Sequence, residues 1–358
     1  MLSRHPAVLL KAICSPSGSS APQLARKYNV PATYHSYKEM LEEEDLDGIC
    51  IVTPNESHFG IAVEAAKLGI HVMCEKPLAM DHNEARSMLE AAERNNIIHG
   101  VNFTYRENPG VKKMKELLAQ GLIGKVYEGT FQYTGAYGLA GPPGWRGYRS
   151  LGGKGGVLAD LGSHLIDLVQ FVLGEKICSV YSSLSCLHEG KLKRIQERQE
   201  HDQSADSAFL HGSFPDGIQA LFYTSWISHQ GNKNQTIKLS LFGSEGAIQF
   251  SSSELGTKLR FAEGKNPWRS FYLEGVDQWD DSAEPSEERF RPWRLTKRNE
   301  IWKWVDLILE REGERRLILK RIPTFQDGYE VQKVIDAVIQ SAEQRREIVI
   351  GEEGAIGE

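Results

Sequence analysis

In the first hundred residues, short apolar runs alternate with segments whose apolar positions recur at helical spacing. Ala7 to Ile13 reads as a strand, followed by a polar turn over Ser15 to Ser20, a helix over Ala21 to Tyr28 and a short helix over Ser36 to Glu44. Gly48 to Val52 is a continuous apolar run of strand length that ends in Thr53-Pro54-Asn55. A helix over His58 to Leu68 closes on Gly69, and a further strand, Ile70 to Cys74, ends in Glu75-Lys76-Pro77. Asp81 and Glu84 have the spacing of a capping box for a helix reaching Asn95. Ile97 to Phe103 is again a strand. Continuous apolar strands suit a sheet buried on both faces, and the alternation with helices predicts parallel βαβ architecture with right-handed crossovers.

That architecture has a chemical consequence. All strands of such a sheet point one way, so their polar tails emerge on one edge, where open α/β sheets bind ligands. Thr53, Asn55, Glu75, Lys76 and Asn102 are the candidates there. Lys76 is the sharpest, because a lysine held between a glutamate and a proline at a strand end can set positive charge against a substrate oxygen. A solvated surface lysine is the plainer alternative for so short a motif.

After a helix over Gly110 to Ala119 the pattern changes. Val126 to Tyr133 alternates, with Tyr127, Phe131 and Tyr133 on one face and Glu128, Thr130 and Gln132 on the other. Ile177 to Leu184, Ser207 to Phe214, Ile218 to Thr224, Ile237 to Phe242 and Ala247 to Phe250 also read as strands, with Gly217, Gly243 and Gly246 at turns. Short turns between successive strands predict a large, mostly antiparallel open sheet in a second, α+β domain. One face should pack on helices and the other on a second subunit, which implies a homodimer or homotetramer. Asn266 to Asn299 looks like a long irregular excursion in which Trp268, Trp279 and Trp293 are packing anchors. Glu300 to Leu309 and Gly328 to Gln344 read as closing helices, and Gly351 to Glu358 as a frayed tail. The domains are placed at 1–106 and 107–350.

Between these halves lies GGKGGVLADLGSHLIDLVQFVLG, Gly152 to Gly174. Leu161, Leu165, Leu168 and Val172 form one helical stripe; Asp160, His164 and Asp167 form another. A carboxylate and an imidazole one turn apart beside a glycine-rich loop form an acid/base pair or two metal ligands. A capped amphipathic helix with a polar outer face is the plainer reading. No third ligand stands at suitable spacing, so no metal is expected.

Composition narrows the class. With 358 residues, 40% hydrophobic and 25% charged, the chain has the make-up of a soluble globular protein of two domains. A net charge of −6 without a basic block argues against nucleic acid as a partner. Five scattered cysteines, with no Cys-x-x-Cys pair, suit a reducing, cytoplasmic setting. No apolar run reaches the roughly 18 residues of a membrane span, and the N-terminus makes a poor secretion signal.

Five motifs, TPNESH (53–58), CEKPLA (74–79), GVNFTYR (100–106), WRG (145–147) and GGVLADLGSHLIDL (155–168), follow the order and spacing of the Gfo/Idh/MocA family. The chain resembles its glucose–fructose oxidoreductases and inositol dehydrogenases over nearly its whole length. The resemblance implies a Rossmann domain followed by the α+β domain, and NAD- or NADP-dependent oxidation of a sugar, cyclitol or related polyol, or reduction of its keto form. It implies Lys76, Asp160 and His164 as the catalytic set. Thr53, Pro54, Asn55, His58, Glu75, Lys76, Asn102, Trp145 and Arg146 would lie beside the cofactor, and Arg106 would join Lys76, Asp160 and His164 against the substrate. In such a reaction the cofactor takes the hydride while the protein must accept the hydroxyl proton. Histidine, with an intrinsic pKa of about 6.5, is the natural base, Lys76 would stabilise the alkoxide, and Asp160 would anchor substrate or share a proton with His164.

The resemblance also marks departures. No Gly-x-Gly-x-x-Gly stands before Ser15, and Ala7 to Ile13 aligns with the family's second strand, as if a βα unit of about 30 residues were missing. Such a chain should have a damaged Rossmann half, with its second and fourth strands flanking a gap. Cys14-Ser15-Pro16-Ser17 offers no carboxylate for a ribose 2′-hydroxyl, which leans toward NADP. A non-catalytic sugar-binding or regulatory relative that has lost the dinucleotide is the alternative reading. A glycosidase that uses tightly held NAD is a third.

Overall fold

The computed structural model describes residues 2–18, 20–140, 144–187, 203–291, 299–310 and 322–351. The fold is α/β: parallel strands with helices, then a large and mostly antiparallel sheet. Strand β1 (Ala12–Cys14) pairs in parallel with β2 (Ala32–Tyr34), on either side of helix α1 (Ala21–Tyr28). Helix α2 (Tyr37–Glu43), capped by the Ser36 side chain, follows. Three more parallel strands, β3 (Gly48–Ile51), β4 (His71–Cys74) and β5 (His99–Val101), form a separate sheet joined by α3 (His58–Lys67) and α4 (His82–Arg94). Among the described residues β1 and β3 share no ladder.

Two local expectations change. The first strand begins at Ala12, five residues later than its apolar run, because only Ala12 to Cys14 meet a partner, and that partner, β2, is a three-residue strand too short to show a period. At the start of α4 the Asp81 side chain accepts from the Asn83 and Glu84 amides, while Glu84 accepts from Met80 rather than from the cap itself.

Helix α5 (Pro109–Ala119), capped by Asn108, leads into β6 (Val126–Gly135). Short α6 (Arg149–Gly152) and the long buried helix α7 (Ser163–Leu173) follow, and then β7 (Ser179–Ser185), β8 (Ser207–Ser213), β9 (Gln219–Ser225), β10 (Gln235–Gly243), β11 (Gly246–Ser253), β12 (Gly256–Glu263) and β13 (Arg269–Phe271). With β14 (Ile348–Val349) they make a nine-stranded sheet in the order β13-β12-β11-β10-β6-β9-β8-β7-β14, antiparallel except where β6 meets β9. The apolar inner face, including Phe131, Leu210, Phe222, Leu239, Leu241 and Phe250, is buried against α5, α7 and α10 (Phe325–Gln344). Tyr127 shares the strand parity of Phe131 but is exposed.

The excursion after β12 contains β13 and the short α8 (Glu287–Phe290). Trp268 is 40% exposed and stacks under the Arg260 guanidinium, and Trp279 bonds Asp281 at the surface, so neither anchors the core. Trp293 lies outside the described residues, as does the tail beyond Gly351. Helix α9 (Glu300–Leu309) lays Trp304 against β3 and β5, its indole donating to the Ile98 carbonyl. Helix α10 touches α4 and β5 on one side and α7 and β7 on the other, so one helix ties the halves together.

Candidate active site

The site forms where the carboxyl ends of β3, β4 and β5 face the start of α7. The loop after β3 is held by buried side chains. The His58 ring bridges the Thr53 and Pro77 carbonyls at 3.0 and 3.1 Å, tying the loop after β3 to the loop after β4. Its burial pushes the imidazole below its ordinary pKa, although the two carbonyls oppose this. Asn55 is 3% exposed and donates to the Gly152 carbonyl, which links the same loop to the glycine-rich segment; its Oδ1 is buried, with no partner among the described residues. Asn102, just beyond β5, donates to Glu75 at 2.6 Å. The Lys76–Pro77 peptide is cis.

The expected helix over Asp160 to Leu173 has two parts. Leu158–Gly162 is a π-helical turn, and α7 continues from Ser163 to a left-handed cap at Gly174. Such wide turns recur at functional sites because they re-aim the side chains they carry. Gly156, just upstream, has φ +52° and sits so near the Ala205 backbone that a Cβ would lie 2.3 Å from its carbonyl oxygen. The polar stripe of this segment faces inward rather than to water: His164 and Asp167 are buried, and only part of Asp160 is accessible.

Asp160 is the hub. The Lys76 ammonium donates to its main-chain oxygen at 2.7 Å and to Oδ1 at 2.8 Å, and Arg146 donates to Oδ1 at 3.1 Å. Tyr137 and the Trp226 indole donate to Oδ2 at 2.8 and 3.3 Å. Burial alone would raise this carboxyl, but Lys76 and Arg146 together with the Lys76 and Tyr137 hydrogen bonds hold it well below the usual carboxylate range. An aspartate with four donors is an anchor for Lys76 and has little capacity to trade a proton with His164.

His164 sits in an aromatic cage, edge-on to Tyr105 with ring centroids 4.7 Å apart and near Phe103 and Tyr133. Burial, reinforced by the charge of Lys76, drives its pKa far below 6.5, so the imidazole is neutral. Its Nδ1 is buried, with no hydrogen-bond partner among the described residues. Tyr105 and Tyr133 join hydroxyl to hydroxyl at 2.7 Å, and Tyr133 donates onward to Gln235 at 2.6 Å.

These groups line one cleft of about 590 Å³, bounded by Glu75, Lys76, Asn102, Tyr105, Tyr133, Tyr137, Arg146, Asp160, His164, Gln235 and Arg291. Trp145, stacked under the Arg146 guanidinium, opens on a narrow neighbouring crevice with Asn55 and Pro77. Thr53 accepts from Ser57 at the head of the first loop and lines neither opening. Arg106 stands apart. Its guanidinium forks onto Asp167 and bonds Asp327 within the interior, where burial outweighs the Arg106 charge and pushes the Asp167 carboxyl up to about 6. Arg106 is not among the residues lining the cleft, and Asp167 steadies α7 rather than the imidazole. Tyr137, Trp226, Tyr133, Gln235 and Arg291 escape a reading of the sequence, because they come from distant strand ends and loops; only Tyr105 lay inside a recognisable motif.

No group of three or more metal-ligating side chains occurs among the described residues. Comparison with known proteins adds the broader context. Residues 1–103 match the model of the oxidoreductase family with an NAD-binding Rossmann fold, and residues 111–249 match the GFO/IDH/MocA C-terminal domain. Levoglucosan dehydrogenase of Pseudarthrobacter phenanthrenivorans is 26% identical over 93% of this chain and 87% of its own length. The scyllo-inositol 2-dehydrogenase (NAD(+)) of Bacillus subtilis is 26% identical over 68% of this chain and 66% of its own. A solved oxidoreductase domain protein from Kribbella flavida shares the fold with a TM-score of 0.77 at 26% identity, covering 96% of this chain and 90% of that one. A levoglucosan dehydrogenase structure in complex with NADH superimposes with a TM-score of 0.78 at 23% identity over 96% and 90% of the two chains.

Proposed function

Because the chain belongs to the Gfo/Idh/MocA family of NAD(P)-dependent oxidoreductases acting on sugars and polyols, we propose that the cleft is its active site, with His164 as the proton acceptor, Lys76 at the substrate oxygen and Asp160 as the anchor of Lys76. The observation that carries this reading is the pairing of Lys76 with Asp160 beside a neutral His164 that lines the same cleft. A substrate hydroxyl in the cleft meets this imidazole, which, being neutral, accepts its proton. Lys76, held by Asp160, points its remaining donor capacity at the substrate oxygen and stabilises the charge that develops there.

The nicotinamide cofactor supplies the hydride acceptor when bound. The buried Oδ1 of Asn55, the Glu75–Asn102 pair and Trp145 lie at the carboxyl edge of β3 to β5 and suit the nicotinamide end. Thr53, Pro54 and His58 shape that edge by holding the two loops together. The loop after β1 keeps Ser15 and Ser17 where an NAD-type enzyme often has an acid, which favours NADP.

We place the domain boundary at Arg106, with α9 and α10 returning to the first half. The exposed face of the nine-stranded sheet carries Tyr181, Phe209 and Leu221, with Phe209 and Tyr223 stacked at 4.4 Å, and this apolar surface supports a homo-oligomer. Five unpaired cysteines support a cytoplasmic enzyme, and no described helix is long and apolar enough to cross a membrane.

The test is absorbance at the reduced-nicotinamide band with NAD and NADP against a panel of sugars and cyclitols. The reading requires turnover that Lys76→Ala and His164→Ala each lower by about 10²-fold or more. Unchanged turnover in both variants would overturn the assigned roles.

A further inference from the structure

Arg291 lines the cleft beside Tyr105, Tyr133 and His164, immediately after α8, and no motif of the sequence pointed to it. Its side chain is 22% exposed and pairs with Glu287, whose carboxylate is 49% exposed and does not line the cleft. Its Nε is buried, with no hydrogen-bond partner among the described residues. The part of the side chain that remains accessible belongs to the cleft wall, where a guanidinium can donate to an acceptor on a ligand.

The charge balance of the cleft points the same way. Among the described residues lining it, the cations are Lys76, Arg146 and Arg291 and the carboxylates are Glu75 and Asp160. Asp160 serves both Lys76 and Arg146, and Glu75 is engaged by Asn102 on the cofactor side. His164 adds no charge, being neutral. Among the described residues the substrate side therefore holds three cations and one carboxylate, while half-exposed Glu287 pairs with Arg291 from outside the lining. Glu287 offsets part of that surplus from the rim, and an anionic substituent would meet the remainder in a site partly shielded from water.

Taking the dehydrogenase reading as given, we propose that the substrate is a polyhydroxylated acid, a uronic or aldonic acid or a carboxylated cyclitol, whose carboxylate is received by Arg291. A carboxylate is favoured over a phosphate because Glu287 already occupies part of the guanidinium, so what remains suits a monoanion rather than a doubly charged group. The hydroxyl that is oxidised lies at Lys76 and His164, and the acid at Arg291 orients the ring between them. The neutral relatives' sugars would bind the first of these subsites and leave the second unused.

The experiment compares matched pairs on the full chain: glucose with glucuronate, galactose with galacturonate, and glucose with glucose 6-phosphate. Binding is read by calorimetry as well as kcat/KM by nicotinamide absorbance, so the proposal is decided even if turnover is absent. The acids are expected to bind at least about tenfold more tightly than their neutral partners, as one charge-assisted hydrogen bond would provide. Arg291→Gln should erase that preference through KM, with Arg291→Lys recovering part of it. Equal affinity for acid and neutral partner in every pair, tighter binding of the phosphate than of the uronate, or a preference that survives Arg291→Gln would each overturn the proposal. Turnover of neutral sugars alone would overturn it while leaving the dehydrogenase reading intact. Acid binding without turnover of any member would support the subsite and count against the reading on which it is built.

Discussion

Lys76 and Asp160, 84 residues apart in the chain, meet twice: the ammonium donates to the aspartate's own main-chain oxygen at 2.7 Å and to its Oδ1 at 2.8 Å. The two contacts fix the lysine against a π-helical turn as well as against a side chain, so its direction is set by the backbone of the second half. Replacing Asp160 by Asn keeps the shape and the backbone acceptor but removes the charge. We expect Asp160→Asn to lower kcat by less than Lys76→Ala, which should cost about 10²–10³-fold as the loss of an oxyanion donor. The double variant should be no slower than Lys76→Ala alone, because the aspartate acts through the lysine. Steady-state kinetics on the three variants measures this, and additive losses would show that Asp160 has a separate role.

The pH profile should reflect a neutral His164. Burial and the nearby Lys76 lower its pKa well below 6.5, so the base form persists on the acid side of neutrality. The acid limb of kcat/KM assigned to this histidine should lie well below pH 6.5, and His164→Asn should lose about 10²–10⁴-fold at every pH above it. An inflection at pH 6.5 that disappears in His164→Asn would show that the ring is better solvated than its cage suggests.

Arg106 tests structure rather than chemistry. Its guanidinium satisfies two carboxylates, Asp167 and Asp327, and Asp167 is 1% exposed. Arg106→Leu leaves a buried carboxylate without its partner and should cost about 3–5 kcal/mol of stability, measured by urea unfolding. Asp167→Leu in that background should recover part of the loss. If instead Arg106→Leu folds with wild-type stability but a raised KM, the arginine belongs to the substrate after all.

Glu300 supplies a second stability signature. It is fully buried at the start of α9, neither carboxylate oxygen has a partner among the described residues, and burial, with the neighbouring Glu107 charge, pushes its pKa up to about 8. The folded state therefore holds a proton that the unfolded chain gives up near the ordinary value of 4.5. Folding takes up that proton between these two values, so this residue's contribution to stability falls as pH rises from about 4.5 to 8, by at most about 1.4 kcal/mol per unit. Glu300→Gln should flatten the fall and be the more stable protein at pH 8, as melting temperatures across that range would show. A wild-type curve that rises over this interval in step with the variant's would mean that the carboxyl is ionised and paired.

Local pattern carried much of the molecule. The apolar runs at Gly48 and Ile70 are strands because their side chains suit a sheet covered on both faces, and the loops that leave them, TPN and EKP, emerge at one edge because parallel strands all point the same way. The motifs around Lys76, Asp160 and His164 are contiguous in sequence, so they could be recognised without coordinates. Only the tertiary structure decided which face the Asp160–His164–Asp167 stripe turns to. Periodicity groups residues on one side of a helix without saying what lies opposite, and here the opposite side is protein: Lys76, Tyr137 and Trp226 for Asp160, an aromatic cage for His164, and Arg106 for Asp167. Arg106 follows a strand aimed at the substrate edge, yet its long side chain turns inward to two carboxylates from α7 and α10 that lie 61 and 221 residues away. Three-residue β2 and the Arg291 wall of the cleft were hidden for the same reason. Their roles come from partners distant in the chain, and a linear pattern holds no record of contacts that exist only once the chain has folded.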